Sequence, residues 1–118
     1  MTNKYFGKKE VPGEFIYEGE FVDNKMVGKG LKIWLKNNKR YIGDFLNDEP
    51  HGYGTLTYQN GDIYEGEFKN GEPDGVGVFK WSNYIYEGEF QKGTFHGEGD
   101  LTHKNVKTRV TCRNGKFY

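Results

Sequence analysis

Three Glu-x-Glu pairs (18/20, 65/67 and 87/89), three histidines, one serine and one cysteine are the side chains here from which catalysis or metal binding could be built. Paired carboxylates can hold Ca²⁺ or move protons, and a serine or cysteine nucleophile needs an adjacent base. Their placement argues against each use. On consecutive hairpins, corresponding acids would stand two strands apart, about 10 Å. Ca²⁺ gathers roughly six to eight oxygens at about 2.3–2.6 Å. The pairs therefore read as a solvated acidic face. His51 and His96 share a position filled elsewhere by Val27 and Asp74, which marks a tolerant surface or turn site. His103 replaces an aromatic residue, so stacking is its expected role. Ser82 lies in a turn without the strand–turn–helix setting of a nucleophile elbow. Cys112 has Arg109 and Arg113 nearby in sequence but no histidine after it, which predicts no activated thiolate. No enzyme activity, cofactor or metal site is expected.

What positions these residues is a repeated phrase. "YEGEF" at 17–21 recurs as "YIGDF" at 41–45 and as "YEGEF" at 64–68 and 86–90. Each tyrosine is followed 11 residues later by Gly-x-Gly, at Gly28/Gly30, Gly52/Gly54, Gly75/Gly77 and Gly97/Gly99. The tyrosines are 24, 23 and 22 residues apart, so only the connection to the next unit varies. Inside the phrase the period is two. Tyr17, Gly19 and Phe21 face one way and Glu18 and Glu20 the other, the alternation of a half-buried strand. A second strand puts Gly52, Gly54, Leu56 and Tyr58 on one face. Asn, Asp and Gly cluster between strands, where tight hairpins require positive φ.

A turn symmetric about 24–25 predicts Phe21 opposite Gly28, Gly19 opposite Gly30 and Tyr17 opposite Lys32. The same register sets Tyr41 by Leu56, Tyr64 by Phe79 and Tyr86 by Leu101. Gly43, Gly66 and Gly88 then complete, with the Gly-x-Gly pairs, a trough without Cβ atoms. Neighbouring rings can lie across such a trough, the aromatic rescue of strand glycines.

Composition agrees with this reading. Aromatic residues form 17% of the chain and all hydrophobic residues 34%, so half the apolar material is Tyr, Phe and Trp. The mean hydropathy of −0.92 would suit disorder, but disordered chains are poor in aromatics. Eighteen glycines exclude a helical bundle. Net charge is zero, yet residues 1–40 hold nine basic and five acidic groups, 41–100 three and twelve, and 101–118 five and none. The basic ends comprise Lys4, Lys8, Lys9, Lys104, Lys107, Arg109, Arg113 and Lys116. An acidic centre with Glu between its aromatics disfavours nucleic acid. The opening "MTNKYFGKKE" lacks the apolar run of a secretory leader, and Thr2 departs from a myristoylation start. With one cysteine and no long apolar stretch, a cytoplasmic chain is expected.

Tyr-x-Gly-[Glu/Asp]-Phe followed by Gly-x-Gly, four times at constant internal spacing, resembles the MORN repeat (membrane occupation and recognition nexus). The resemblance implies an all-β, elongated, twisted single-layer antiparallel sheet of consecutive hairpins. Its expected units are repeats at 17–40, 41–63, 64–85 and 86–109, an N-terminal half-repeat cap at 1–16 and a degenerate half-repeat at 110–118. In the last, Val110 would replace the tyrosine, Cys112 the glycine and Asn114 the phenylalanine. Departures are Ile42 for the usual Glu, Lys32 where Leu or Phe stands elsewhere, and His103. The resemblance further implies a non-enzymatic scaffold subunit of a ciliary or axonemal (radial-spoke-like) or other cytoskeletal assembly. Its expected partners are other proteins or a second copy of the chain. A single layer must leave rings uncovered, so the expected partner interface is the aromatic face. Trp34 and Trp81 would anchor it, with Tyr58, with Tyr17, Tyr41, Tyr64 and Tyr86 and with Phe21, Phe45, Phe68 and Phe90. The terminal strands offer edge addition. The alternative is an anionic-phospholipid module using the basic ends.

Overall fold

The computed structural model describes residues 3–118; Met1 and Thr2, on which the myristoylation reading falls, lie outside them. One sheet of eleven antiparallel strands is ordered as in the sequence. The strands are β1 (Lys4–Val11), β2 (Phe15–Val22), β3 (Lys25–Trp34), β4 (Lys39–Leu46), β5 (Glu49–Thr57) and β6 (Ile63–Lys69). They continue as β7 (Glu72–Trp81), β8 (Tyr84–Gln91), β9 (Thr94–His103), β10 (Val106–Arg113) and β11 (Lys116–Phe117). Every connection is a hairpin, and the ribbon measures 50 × 29 × 22 Å. Turn residues fall in the left-handed region as their types predict, among them Asn24 (φ 68°), Asp48 (73°), Gly71 (85°) and Gly93 (84°).

The expected register holds from the glycines outward. Gly19 faces Gly30, Tyr17 faces Lys32, Tyr41 faces Leu56, Tyr64 faces Phe79 and Tyr86 faces Leu101. Toward the turn it fails. Phe21 faces Met26, not Gly28, and its counterparts face Pro50, Pro73 and Phe95. Between the two pairings lies a bulge in which Glu20 alone opposes Val27, Gly28 and Lys29. The first glycine of each Gly-x-Gly is therefore a bulge residue, with φ of 88°, 100°, 107° and 69° at Gly28, Gly52, Gly75 and Gly97. His51 and His96 open the bulges of their units.

The bulge also corrects the reading of the acids. Glu20 accepts the Lys29 N–H (2.5 Å), Asp44 that of Tyr53 (3.0 Å), Glu67 that of Val76 (3.1 Å) and Glu89 that of Glu98 (2.8 Å). The second acid of each phrase is thus a structural acceptor for an N–H that leaves the ladder. The first (Glu18, Glu65, Glu87) is an exposed side chain, and of the three Glu65 accepts a bond from the Thr55 hydroxyl (3.5 Å). The sequence carried the signal, since position two varies to Ile42 while position four stays acidic. Burial raises the Asp44 carboxyl's pKa, but the Lys29 ammonium and the Tyr53 N–H outweigh it and hold the carboxyl below the usual range.

Below the bulge, each hairpin turn bonds to the preceding unit. Asp48 donates to the Met26 carbonyl (3.1 Å), Gly71 to Pro50 (2.9 Å), Gly93 to Pro73 (2.9 Å) and Gly115 to Phe95 (3.3 Å). Met26 donates its own N–H to the Asp48 side chain (2.9 Å), outside the ladder. Proline is therefore tolerated at 50 and 73, because that position owes the sheet no donor.

The C-terminal half-unit begins two residues earlier than its sequence suggests. Gly99 faces Val110, Leu101 faces Thr108 and Gly97 faces Cys112. Thr108 thus stands in the tyrosine place, Val110 in the glycine place and Cys112 in the phenylalanine place, continuing the 22-residue step from Tyr86. At the other end Gly7 faces Gly19, and Tyr5 stacks on Phe21 at 5.0 Å.

Candidate functional site

The face bearing the rings has two rows, and they differ in what a partner could touch. The inner row comprises the phrase tyrosines and phenylalanines. Each tyrosine hydroxyl donates to the carbonyl three residues on: Tyr17 to Glu20 (2.8 Å), Tyr41 to Asp44 (2.7 Å), Tyr64 to Glu67 (2.8 Å) and Tyr86 to Glu89 (3.1 Å). That bond lays the ring over Gly30, Gly54, Gly77 or Gly99, where a Cβ would collide with it. The glycine opposite, Gly19, Gly43, Gly66 or Gly88, is itself pressed against that glycine's backbone.

Each tyrosine then meets two phenylalanines edge to face. Tyr17 touches Phe21 and Phe45, Tyr41 touches Phe45 and Phe68, and Tyr64 touches Phe68 and Phe90, all at 4.8–5.1 Å. The zipper ends on Tyr86, which meets Phe90 and Phe95 while buried Cys112 fills the next phenylalanine place. Tyr17, Tyr41 and Tyr86 are 0% exposed and Tyr64 1%. These four tyrosines and Phe21, Phe45, Phe68 and Phe90 are thus core, not the partner-facing rings the sequence suggested. The physical reason is that rings of adjacent repeats cover one another across strands 4.7–4.9 Å apart, approximately.

Burial followed by the Glu20 carboxylate pushes the Tyr17 hydroxyl up to about 12, and burial first of all raises Tyr41, Tyr64 and Tyr86 as well. A tyrosine ionises near pH 10 once unfolded. Since the folded values lie higher, these groups stabilise the fold fully below pH ~10, and the stabilisation is lost as pH rises toward about 12. We expect tyrosinate absorbance at 295 nm and loss of the β-sheet circular dichroism to rise together in that window. A sheet intact after those tyrosines ionise would contradict it. Burial also raises the Cys112 thiol, so the thiolate is disfavoured.

The outer row stays half exposed. Trp34, Tyr58 and Trp81 lie in it, with Phe15, Phe79, Phe95 and Leu101 packed beside them on the core. Sequence reasoning missed Phe79, Phe95, Tyr84 and Phe117. Trp81 stacks on Phe79 (5.2 Å), Tyr84 (5.4 Å) and Phe117 (6.4 Å), and Tyr84 stacks on His103 (4.1 Å), the stacking expected of that histidine. Phe79 and Phe95 line an open hollow of 250 Å³ with Tyr58, Pro73 and Phe90. At the other end of the row Trp34 carries the Lys32 and Lys39 ammonium groups, 5.0 and 5.3 Å from its ring.

The basic residues of the two ends do not gather into one patch. Lys4 pairs with Glu20 (3.8 Å), and Arg109 is held by Glu98 (3.4 Å) and Asp100 (3.3 Å). Lys8 and Lys9 lie on β1 and Lys104, Lys107, Arg113 and Lys116 at the far end, all exposed. β11 pairs with β10 at Cys112 and Arg113, and Tyr118 beyond it exchanges backbone hydrogen bonds with Thr111 (2.7 and 3.3 Å). Among the described residues, β1 and the 106–110 part of β10 thus have unpaired edges carrying lysines, which oppose casual pairing.

No helix among the described residues is long and apolar enough to cross a membrane. The family model of the MORN repeat matches residues 17–39, 41–63, 64–84 and 86–105. These segments are the four phrase-bearing hairpins and span most of the chain. The repeat is a non-catalytic module, often involved in protein–protein or membrane-lipid interactions. With Tyr-over-glycine packing repeated in every matched unit, this chain belongs to the MORN-repeat family.

Proposed function

We propose that this chain is a non-enzymatic docking subunit that holds other proteins across its outer aromatic row. The observation that carries the reading is the row from Trp34 to Trp81, left half exposed beside the 250 Å³ hollow after the inner rings are buried. Large rigid rings with a polar N–H make favourable anchors, and apolar hollows of this kind accept a partner's side chain. The two open edges supply a second contact. From the resemblance that the phrase carries, we place the chain in a ciliary or axonemal, radial-spoke-like assembly or another cytoskeletal one, in the cytoplasm. A tagged copy imaged in ciliated cells tests that placement.

The docking face is tested by co-purification from native extract with cross-linking. Trp34→Ala and Trp81→Ala are each expected to weaken retention by about tenfold or more, as truncation of a binding hot spot does. The melting temperature, read alongside, separates lost docking from lost folding. If both variants retain the same partners at wild-type levels, the face is the wrong one. Flotation with anionic vesicles that persists at physiological salt would favour the lipid reading instead.

A further inference from the structure

Lys32 occupies a place that the rest of the array gives to packing. It faces Tyr17 as Leu56 faces Tyr41, Phe79 faces Tyr64 and Leu101 faces Tyr86. A leucine there would need no explanation. The lysine is half buried, its Nζ 4.3 Å from the Phe15 ring centroid and 5.0 Å from that of Trp34. No carboxylate among the described residues pairs with it. Burial lowers its pKa, while Asp48 and Glu49 attract it from a distance and Lys9 repels it. Asp48 is engaged, since its carboxylate takes the Met26 N–H. Lys9 faces Tyr17 from the opposite side, and Lys39 lies over the same Trp34 ring. A basic spot is thus set into the aromatic face at its N-terminal end, and an apolar one at its C-terminal end around Trp81.

We propose that Lys32, cradled by Phe15 and Trp34, is a receptor for an aspartate or glutamate side chain of the protein segment that docks on this face. The inference rests on the outer row being the docking face and adds what its occupant must carry. An ammonium already stripped of part of its water gains more from an incoming carboxylate than a fully hydrated lysine does, because less hydration is lost on contact. The charge of Asp48 and Glu49 nearby opposes a continuous sheet of lipid phosphates more than it opposes one carboxylate. Trp81 lies on β7, four strands from β3, roughly 19 Å away. The occupant therefore places its acid and its large apolar residue about six residues apart if extended, or about thirteen if helical.

The probe is a phage-displayed library of random 16-mer peptides, roughly long enough to span that distance in either form. It is selected on the full chain and on Lys32→Leu, Lys32→Glu and Trp81→Ala. Wild-type pools are expected to be enriched in Asp or Glu at one of those spacings from an aromatic or large aliphatic residue. Binding of a selected peptide should fall about tenfold with Lys32→Leu, whose melting temperature stays level or rises as at the leucine counterparts. Changing the peptide's Glu to Gln should cost the same on wild type and nothing on Lys32→Leu. Lys32→Glu should reverse the enrichment toward Lys and Arg. An equal Glu-to-Gln penalty on wild type and Lys32→Leu overturns the proposal, as does an empty selection or Lys32-dependent flotation of phosphatidylserine vesicles. Trp81→Ala separates the two readings. If it weakens acidic and neutral peptides alike while Lys32→Leu leaves charge preference unchanged, the face stands and the receptor falls. If only Lys32 matters, the receptor stands and Trp81's part in docking falls.

Discussion

Gly66→Ala is expected to destabilise the array by about 3 kcal/mol, lowering the melting temperature by roughly 10–15 °C. A Cβ there would stand 2.5 Å from the Gly77 Cα, 2.6 Å from the Val76 carbonyl oxygen and 2.8 Å from the Tyr64 hydroxyl. Two of these are backbone atoms of the paired strand and cannot swing aside. The strands must part, and the Tyr64 bond to the Glu67 carbonyl goes with them. Gly7→Ala is the control. It faces Gly19 in the same register, but its Cβ would meet only the Tyr5 ring, at 3.4 Å, and Phe21. That substitution should cost less than about 1 kcal/mol. Equal melting temperatures for the two variants would show that close approach of the glycine pair is not what holds the sheet together.

Phe68→Ala is expected to cost about 3–5 kcal/mol, a large share of the roughly 5–15 kcal/mol that keeps a domain folded. Its ring meets Tyr41 at 4.8 Å and Tyr64 at 5.1 Å, so it joins the second repeat to the third. In an array each unit contacts only its neighbours, and deleting the joint weakens the coupling between halves. Urea unfolding followed by Trp fluorescence and by circular dichroism should lose coincidence in the variant, since Trp34 and Trp81 lie on opposite sides of the break. A loss under about 1.5 kcal/mol with coincident transitions would mean that the backbone ladder, not the ring zipper, carries cooperativity.

Part of what these predictions rest on is dictated by the chain's local chemistry. Alternation of period two, glycines 11 residues after each tyrosine, and Asn or Gly at hairpin tips could be read directly. Each answers to a steric demand within one strand or one turn, so neighbours in sequence suffice to state it. The all-β fold, the pairing of Tyr with the glycine trough and the stacked role of His103 were legible for that reason.

Three features were not legible, and all depend on what lies across the sheet. The bulge pairs Phe21 with Met26, because Glu20 can bond the Lys29 N–H only where the opposite strand carries two extra residues. Neither strand alone records that count. The C-terminal half-unit slid by two residues for a similar reason, since Val110 looks like a tyrosine replacement until Gly99 is seen opposite it.

Burial was decided by the fold as well. The inner ring Tyr64 on β6 and the outer ring Trp81 on β7 are both large aromatics, and nothing local to either strand ranks them. Tyr64 is enclosed because Phe68 comes from its own unit and Phe90 from the next, whereas the outer row has its neighbours mainly to the sides. Solvent exposure is a sum over atoms from several repeats. Sequence therefore determined the repeating unit and its conformation, and the stacking of units determined which rings remain for a partner and that Lys32 sits among them.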